Sequence, residues 1–435
     1  MSHAANELAL GQPAKNFSKI LPWLIWATTA TFYFYQFILR VSPSVITEDL
    51  MRDLSIQACT LGTVASFYYY GYTCMQLPVG LILDHIGIRL PLTCAVVLCS
   101  LGCLIFATTS SLVLMSLGRL IMGIGSAFGF LSCIKAATLW FPVSRLNLLI
   151  GLTIMLGTTG GTSGGAPFAG LVAAIGWRSA LLVLAALGAI LAGVAWIIVR
   201  APADAADKNK ESDKKVSLQS VWNSTWMILK NPQTWLFGAY GSLMYMPLSS
   251  FADLWGPAYV AHAYDQERAT AAGAVSLIYI GIAAGSPFGA WMVNTFKSHR
   301  QPLLWSALLS SIVLTATIYL PHYLPFSWTY PLFFLIGACL SAQFLAFAGV
   351  CTINPRELSS TASGVHNMLC MLSGVIFQPV IGYLLDYSRA GQMLGGVAHY
   401  STKDYFFALS VLPISTVLAI VCTWFMKETY VPEEA

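Results

Sequence analysis

The chain has 435 residues, of which 57% are hydrophobic and only 9% charged, and its mean hydropathy is +0.70. A water-soluble domain carries about 25% charged residues, so that class is excluded. The net charge of +4, from 22 Lys and Arg against 18 Asp and Glu, gives no sign of a nucleic-acid partner.

Residues 1–19 are polar, include Glu7 and precede a long apolar run without a small-residue cleavage site. They are expected to form a tail before a retained anchor, rather than a signal peptide. Twelve apolar runs follow, at 20–42, 60–83, 90–109, 112–140, 147–171, 177–199, 233–260, 270–293, 302–320, 329–352, 359–385 and 404–426. Each is long enough for a helix to cross the hydrocarbon core, and their continuity excludes the alternating strands of a membrane barrel. The charge-mixed segment ADAADKNKESDKKV separates six runs from six. The expected organisation is a tail over 1–19, a six-helix bundle over 20–200, a linker over 201–232, a second bundle over 233–427 and a tail over 428–435. The fold class is therefore an all-α membrane protein of twelve transmembrane helices.

Fourteen of the 22 basic residues fall on the side shared by both termini and five on the other, while Arg40, Arg119 and Lys135 lie inside spans. The excess makes the termini cytoplasmic. Ten cysteines without a CxxC pair, nearly all within spans, point to neither disulfides nor a metal site.

Landmarks recur between the halves, as in many transporter folds. Pro43 returns as Pro257, Pro78 and Gly80 as Pro287 and Gly289, and Pro142 as Pro355. Gly151, Gly161, Pro167 and Gly170 match Gly364, Gly374, Pro379 and Gly382. The repeat predicts two pseudo-symmetric six-helix bundles about a central cavity. Between the second and third runs stands GLILDHIGIR, a tight charged turn with Gly80, Asp84, Gly87 and Arg89. Its second-half copy from Gly289, GAWMVNTFKSHR, has Asn294 where the acid would fall.

An ionisable side chain inside a span costs about 2.5 to 3.5 kcal/mol on insertion scales, which makes each one a functional candidate. Thr29, Tyr33, Gln36 and Arg40 are spaced four, three and four apart and share a helix face. That face is expected to line the cavity, with the Arg40 fork suited to a carboxylate and snorkelling to the outer surface as its bland alternative. Asp253 lies one position from the repeat equivalent of Arg40 and is expected to pair with it when the outer side is closed, as a proton-coupling residue. Arg119 and Ser126 share a face of the fourth span. Lys135 is expected to snorkel towards Trp140. His366 is either a coupling residue or a packed neutral imidazole. Tyr69, one of four tyrosines in the second span, and Gln343, Asn367 and Gln378 add candidate polar contacts. The GTSGG motif around Ser163 matches hydrolase patterns, but no strand precedes it, and small residues in a span serve close packing.

The twelve spans, GLILDHIGIR, GRLIMG in the fourth span, the Gly/Pro-rich fifth span and GWR at the start of the sixth together resemble the major facilitator superfamily over nearly the whole chain. FYQFILRVSPSV, MQLPVGLILD and FADLWGPAYV are most similar to its proteobacterial intraphagosomal amino-acid transporter branch. The resemblance implies a monomeric, cofactor-free carrier in a bacterial inner membrane that moves a small-molecule substrate by alternating access, driven by protons. It also implies that Asp84 meets a helix N-terminus and a nearby arginine when the cytoplasmic side is shut, so Gly80, Asp84, Gly87 and Arg89 serve gating. In the family's organic-anion symporters Glu commonly stands at the position of Ser126 and Asp at that of Leu39. Their absence argues against sugar acids and moves coupling elsewhere. The expected solute is an amino acid or other small carboxylate, bound by Arg40, Gln36, Tyr33, Tyr69, Arg119, Asn367 and Gln343, with Asp253 and His366 in coupling. An amphiphilic compound, a nucleoside or a siderophore stays open as cargo, as does, in a different class, a membrane-embedded hydrolase using Ser163.

Overall fold

A computed structural model describes residues 20–200, 218–355, 358–389, 393–394, 397–398 and 400–429. The tail over 1–19, the linker over 201–217 and the last residues from 430 lie outside the described residues.

Backbone polar groups cannot be left unsatisfied in hydrocarbon, so the apolar runs fold as helices. Span 1 is Leu21–Val41, span 2 Ala58–Ile86, span 3 Arg89–Thr108 and span 4 Leu112–Trp140. Span 5 covers residues 146–175 and span 6 is Trp177–Ile198. In the second half, span 7 covers residues 232–264, span 8 is Arg268–Phe296 and span 9 Arg300–Tyr319. Spans 10, 11 and 12 are Phe326–Ile353, Ser359–Ser388 and Thr402–Phe425. Several helices outrun their apolar runs by two to four residues, because helical hydrogen bonding continues into the polar ends. Among the described residues, eight of these helices are long and apolar enough to cross a membrane. Their outward faces carry exposed Ile190, Trp196, Ile312 and Trp424, as a lipid-facing surface requires.

The halves correspond most closely in spans 2 and 8 and in spans 4 and 10. Spans 2 and 8 are both 29 residues long with an internal proline, Pro78 and Pro287. Span 4 is interrupted at Ala127 and span 10 at residues 341–342. Span 7 differs from span 1: a π-helical segment, Pro247–Trp255, interrupts it and carries Asp253. Such segments re-aim side chains and occur often at functional sites. Besides short 3-10 turns, the described residues outside the expected spans include a charged helix Thr47–Leu54, a helix Leu218–Leu229 within the stretch read as linker, and a two-residue antiparallel pair, Met393–Leu394 with Val397–Ala398.

Connectivity puts the span ends on two faces. The linker face carries the 2–3 and 8–9 turns and the end of span 6; the far face carries the 1–2 and 7–8 connections. Near the far face spans 2 and 11 touch backbone to backbone. A Cβ on Gly62 would lie 2.4 Å from the Gln378 carbonyl oxygen, and one on Gly382 2.4 Å from that of Ala58. In lipid, where apolar contact alone does not drive association, this close approach is what packs helices.

Candidate substrate cavity

A cavity of about 600 Å³ lies between the two sets of spans. Span 1 contributes Tyr33, Gln36, Phe37 and Arg40, and span 2 contributes Tyr72, Gln76, Gly80 and Asp84. The latter four recur every fourth residue and so form one helical stripe. Tyr245, Tyr279, Gln343, Phe347 and Asn367 close the opposite wall. Asp84 both lines the cavity and has a side chain 65% exposed, so the cavity opens to the linker face.

At its other end the cavity is sealed by a buried ion pair. Arg40 Nε donates to Asp253 Oδ2 at 2.7 Å and to the Tyr69 hydroxyl at 3.1 Å, and Nη2 donates to the Tyr245 hydroxyl. The hydroxyls of Tyr69 and Tyr279 in turn donate to the Asp253 carboxylate. The rings of Phe37, Tyr69 and Tyr245 surround the guanidinium at 5.2 to 5.4 Å. Arg40 is 3% and Asp253 1% exposed. Dry charges are tolerated only when the remaining lone pairs and protons find partners, and the three tyrosines supply them.

Further out, Arg268 of span 8 pairs with Asp49 and lies 3.8 Å from Glu48, while His262 Nε2 lies 3.2 Å from Glu48. The His262 hydrogen bond holds the Glu48 carboxyl below its ordinary range, against the opposing effect of burial. The charged helix Thr47–Leu54 thus fastens one half to the other across the far face.

Of the residues singled out from sequence, Tyr33, Gln36, Arg40, Gln343 and Asn367 meet in the cavity wall. Gln36 accepts from the Tyr68 hydroxyl at 2.7 Å, and Asn367 Nδ2 donates across the halves to Gln76 at 2.6 Å. Tyr69 belongs to the seal. Gly87, at the end of span 2, has φ +84°.

The other residues singled out from sequence stand in different surroundings. Arg119 does not line the cavity: it is 1% exposed, donates to the Leu39 carbonyl at 2.9 Å and lies 4.8 Å over the Tyr68 ring. Its spacing from Ser126 identified a shared face, but that face packs on spans 1 and 2. His366 is fully buried, edge-on to Phe347 at 4.3 Å and 3.5 Å from Cys370 Sγ, and lies behind the wall. Arg89 turns away from Asp84, donating to the Trp196 carbonyl at 2.9 Å and stacking on its ring at 4.2 Å. Asp84 instead meets Lys135 Nζ at 2.6 Å, so this lysine is paired rather than snorkelling towards Trp140. The Ser163 hydroxyl donates one turn back to the Thr159 carbonyl within a helix, as serines in spans do.

Gln76, Tyr245 and Tyr279 were not anticipated, and Tyr72 stood out only as one of the four tyrosines of span 2. The four-residue spacing of Tyr72, Gln76, Gly80 and Asp84 carried a readable signal. Nothing in the sequence announced the π-helical segment that sets Asp253 against Tyr279.

A many-span helical protein whose two sets of helices enclose a cavity open to one face is a membrane transporter. The chain belongs to the Major Facilitator Superfamily, whose sequence pattern matches residues 25–378. It is 24% identical over 401 residues to the uncharacterized transporter YybO of Bacillus subtilis (strain 168), covering 84% of this chain and 87% of that protein. It is likewise 24% identical over 370 residues to the hexuronate transporter of the same organism, covering 83% and 80%. Among solved structures, it is similar in fold to the bacterial homolog of the human lysosomal transporter Spinster in its inward-facing, occupied conformation. That likeness has a TM-score of 0.74 at 14% identity and covers 94% of this chain and 97% of the other.

Proposed function

We propose that the protein is a proton-coupled importer of a small organic carboxylate, with the linker face and both termini in the cytoplasm of a bacterial cell. The observation that carries this reading is Arg40. Among the described residues lining the cavity it is the one permanent cation, and it stands at the junction of cavity and seal. An arginine fork binds carboxylates bidentately. A solute carboxylate reaching Arg40 from the far side competes with Asp253, and a proton on Asp253 removes the competitor. Solute and proton together therefore release the seal, which couples their movement; re-formation of the Arg40–Asp253 pair ejects both towards the linker face. The acids common in related symporters are absent at Leu39 and Ser126, leaving Asp253 to carry the proton.

The hexuronate relative supports an anionic cargo. Phe37, Phe130, Phe344 and Phe347 in the wall favour a carboxylate with an apolar body, amino acids included, over a fully hydroxylated sugar acid. The cavity is complete within one chain, which supports a working monomer.

Uptake into proteoliposomes under an inward proton gradient tests this, with glucuronate, glutamate, phenylalanine and phenylacetate as probes. Arg40→Ala is expected to abolish uptake of every probe that the native protein carries. Asp253→Asn is expected to lose gradient-driven accumulation while retaining solute exchange. Native uptake by Arg40→Ala would refute the carboxylate reading; gradient-driven accumulation by Asp253→Asn would refute the coupling.

A further inference from the structure

Asp386, in the last turn of span 11, sits on the first turn of span 2. Its Oδ1 accepts from the Ala58 amide at 3.2 Å and its Oδ2 from the Cys59 amide at 2.8 Å. The Ala58 amide also donates to the Tyr400 hydroxyl at 3.0 Å, and that hydroxyl donates to Asp386. Gln57, which precedes span 2, supplies no side-chain cap. The carboxylate that answers these first-turn donors, and the positive end of the helix dipole, therefore comes from the other half of the molecule.

At the opposite end of the same two helices the arrangement is inverted and open. Asp84 occupies the last turn of span 2; Ser360 and Thr361 occupy the first turn of span 11; all three line the cavity mouth. Leu358, preceding span 11, supplies no side-chain cap, and Asp84 rests on Lys135. Spans 2 and 11 thus each carry an acid in the last turn, at the end where the other helix begins, and among the described residues the far-face acid meets the other helix while Asp84 meets Lys135.

We propose that Asp386 is a gating residue, the far-face counterpart of Asp84. It caps span 2 while the cavity is open to the linker face and must let go before the far face opens. Because each cap forms where spans 2 and 11 converge and is lost where they diverge, the two compete, and weakening one favours the other. The proposal rests on the alternating-access reading above.

Labelling of Cys59 reports on this site directly. The full-length chain is used with its other cysteines replaced by serine, reconstituted with the far face outward and exposed to a membrane-impermeant sulfonated maleimide. Asp386→Asn should speed labelling roughly three- to tenfold, the range expected for loss of a charged helix cap. Asp386→Glu should stay within about twofold of the parent chain, and Tyr400→Phe should give a smaller rise in the same direction, a second variant if Asp386→Asn folds poorly. Asp84→Asn should slow labelling, and the Asp84→Asn/Asp386→Asn double variant should return near the parent rate. Parent-rate labelling of Asp386→Asn would overturn the proposal. So would a double variant as fast as Asp386→Asn alone, since that marks local fraying. The labelling pattern without solute flux in liposomes would keep the latch and sink the transport reading instead.

Discussion

The internal repeat places the turn Gly80–Arg89, between spans 2 and 3, in correspondence with Gly289–Arg300, between spans 8 and 9, yet the two turns take their acid from different places. In the first, Asp84 is part of the turn, lines the cavity mouth and meets Lys135. In the second, Asn294 stands at the equivalent position and the acid arrives from the end of the chain. Glu428 accepts from the Ser298 hydroxyl and from the His299 amide at 2.8 Å, capping span 9. The neighbouring Lys427 amide donates to Gln233 at 2.9 Å, so the terminal segment also ties to span 7. A shared helix geometry has thus been put to two uses. An exposed acid held by one half-buried lysine beside an open mouth suits an exchange of partners, whereas one held by a helix N-terminus and a serine suits a stationary joint.

The largest expected difference is in transport. Asp84→Asn should lower the uptake rate at least tenfold while leaving the thermal midpoint in detergent nearly unchanged, because an exposed ion pair is worth about 0–1 kcal/mol. Asn294→Asp should change uptake less than about twofold. Equal losses in the two variants would show that both turns gate.

The backbone gives the next effect. Gly87 has φ +84° and ψ −176°, a region essentially restricted to glycine. A Cβ there would meet nothing within 4 Å, so the cost of Gly87→Ala is conformational, about 1–3 kcal/mol in unfolding free energy. A variant as stable as the parent would show that the turn relaxes without penalty.

The helices were legible because every span combines a continuous apolar run with Gly, Pro or charged punctuation, and in a bilayer that pattern has few alternative folds. Span 1 shows how far such reading reaches into the site: Tyr33, Gln36 and Arg40 share a face by spacing alone, and that face lines the cavity. Arg119 shows where it stops. Periodicity reports which residues stand together, while the partner helix that receives them is a tertiary fact, and span 4 turns Arg119 towards the Leu39 carbonyl. The cap on span 9 was beyond reach for the same reason, since Glu428 lies 129 residues from His299. The Asp84–Lys135 pair was obscured in the same way: its two residues are 51 apart, and the nearness of Lys135 to Trp140 in sequence says nothing about span 2.

Glu428→Gln sharpens the comparison from the second turn. Removing the charge from two hydrogen bonds at a helix N-terminus should cost about 1 kcal/mol of stability, a modest figure because Glu428 is exposed, and should leave uptake within about twofold. The same joint contains a pH signature. Burial holds the His299 imidazole below its ordinary range, against the opposing pull of Glu428. With the folded value below the unfolded one of about 6.5, the unfolded chain binds the extra proton first. Stability should therefore fall as pH drops through about 6.5 and level off below the folded value. His299→Asn should remove that slope in thermal unfolding measured from pH 8 to 5; an unchanged slope would assign it elsewhere.

The smallest effect runs opposite to the others. Lys297 closes span 8 in the left-handed region, φ +49° and ψ +42°, where a side chain brings its Cβ close to the following carbonyl and glycine does not. The equivalent stop after span 2 is already a glycine. Lys297→Gly relieves the strain in the folded turn but gives the unfolded chain more freedom, and the two terms partly cancel. A net gain of about 0.5 kcal/mol is expected, visible as a small rise in thermal midpoint with uptake unaltered. A loss of stability instead would mean that the Lys297 side chain contributes more to the joint than its backbone costs, and the second turn would then be braced by charge as well as by Glu428.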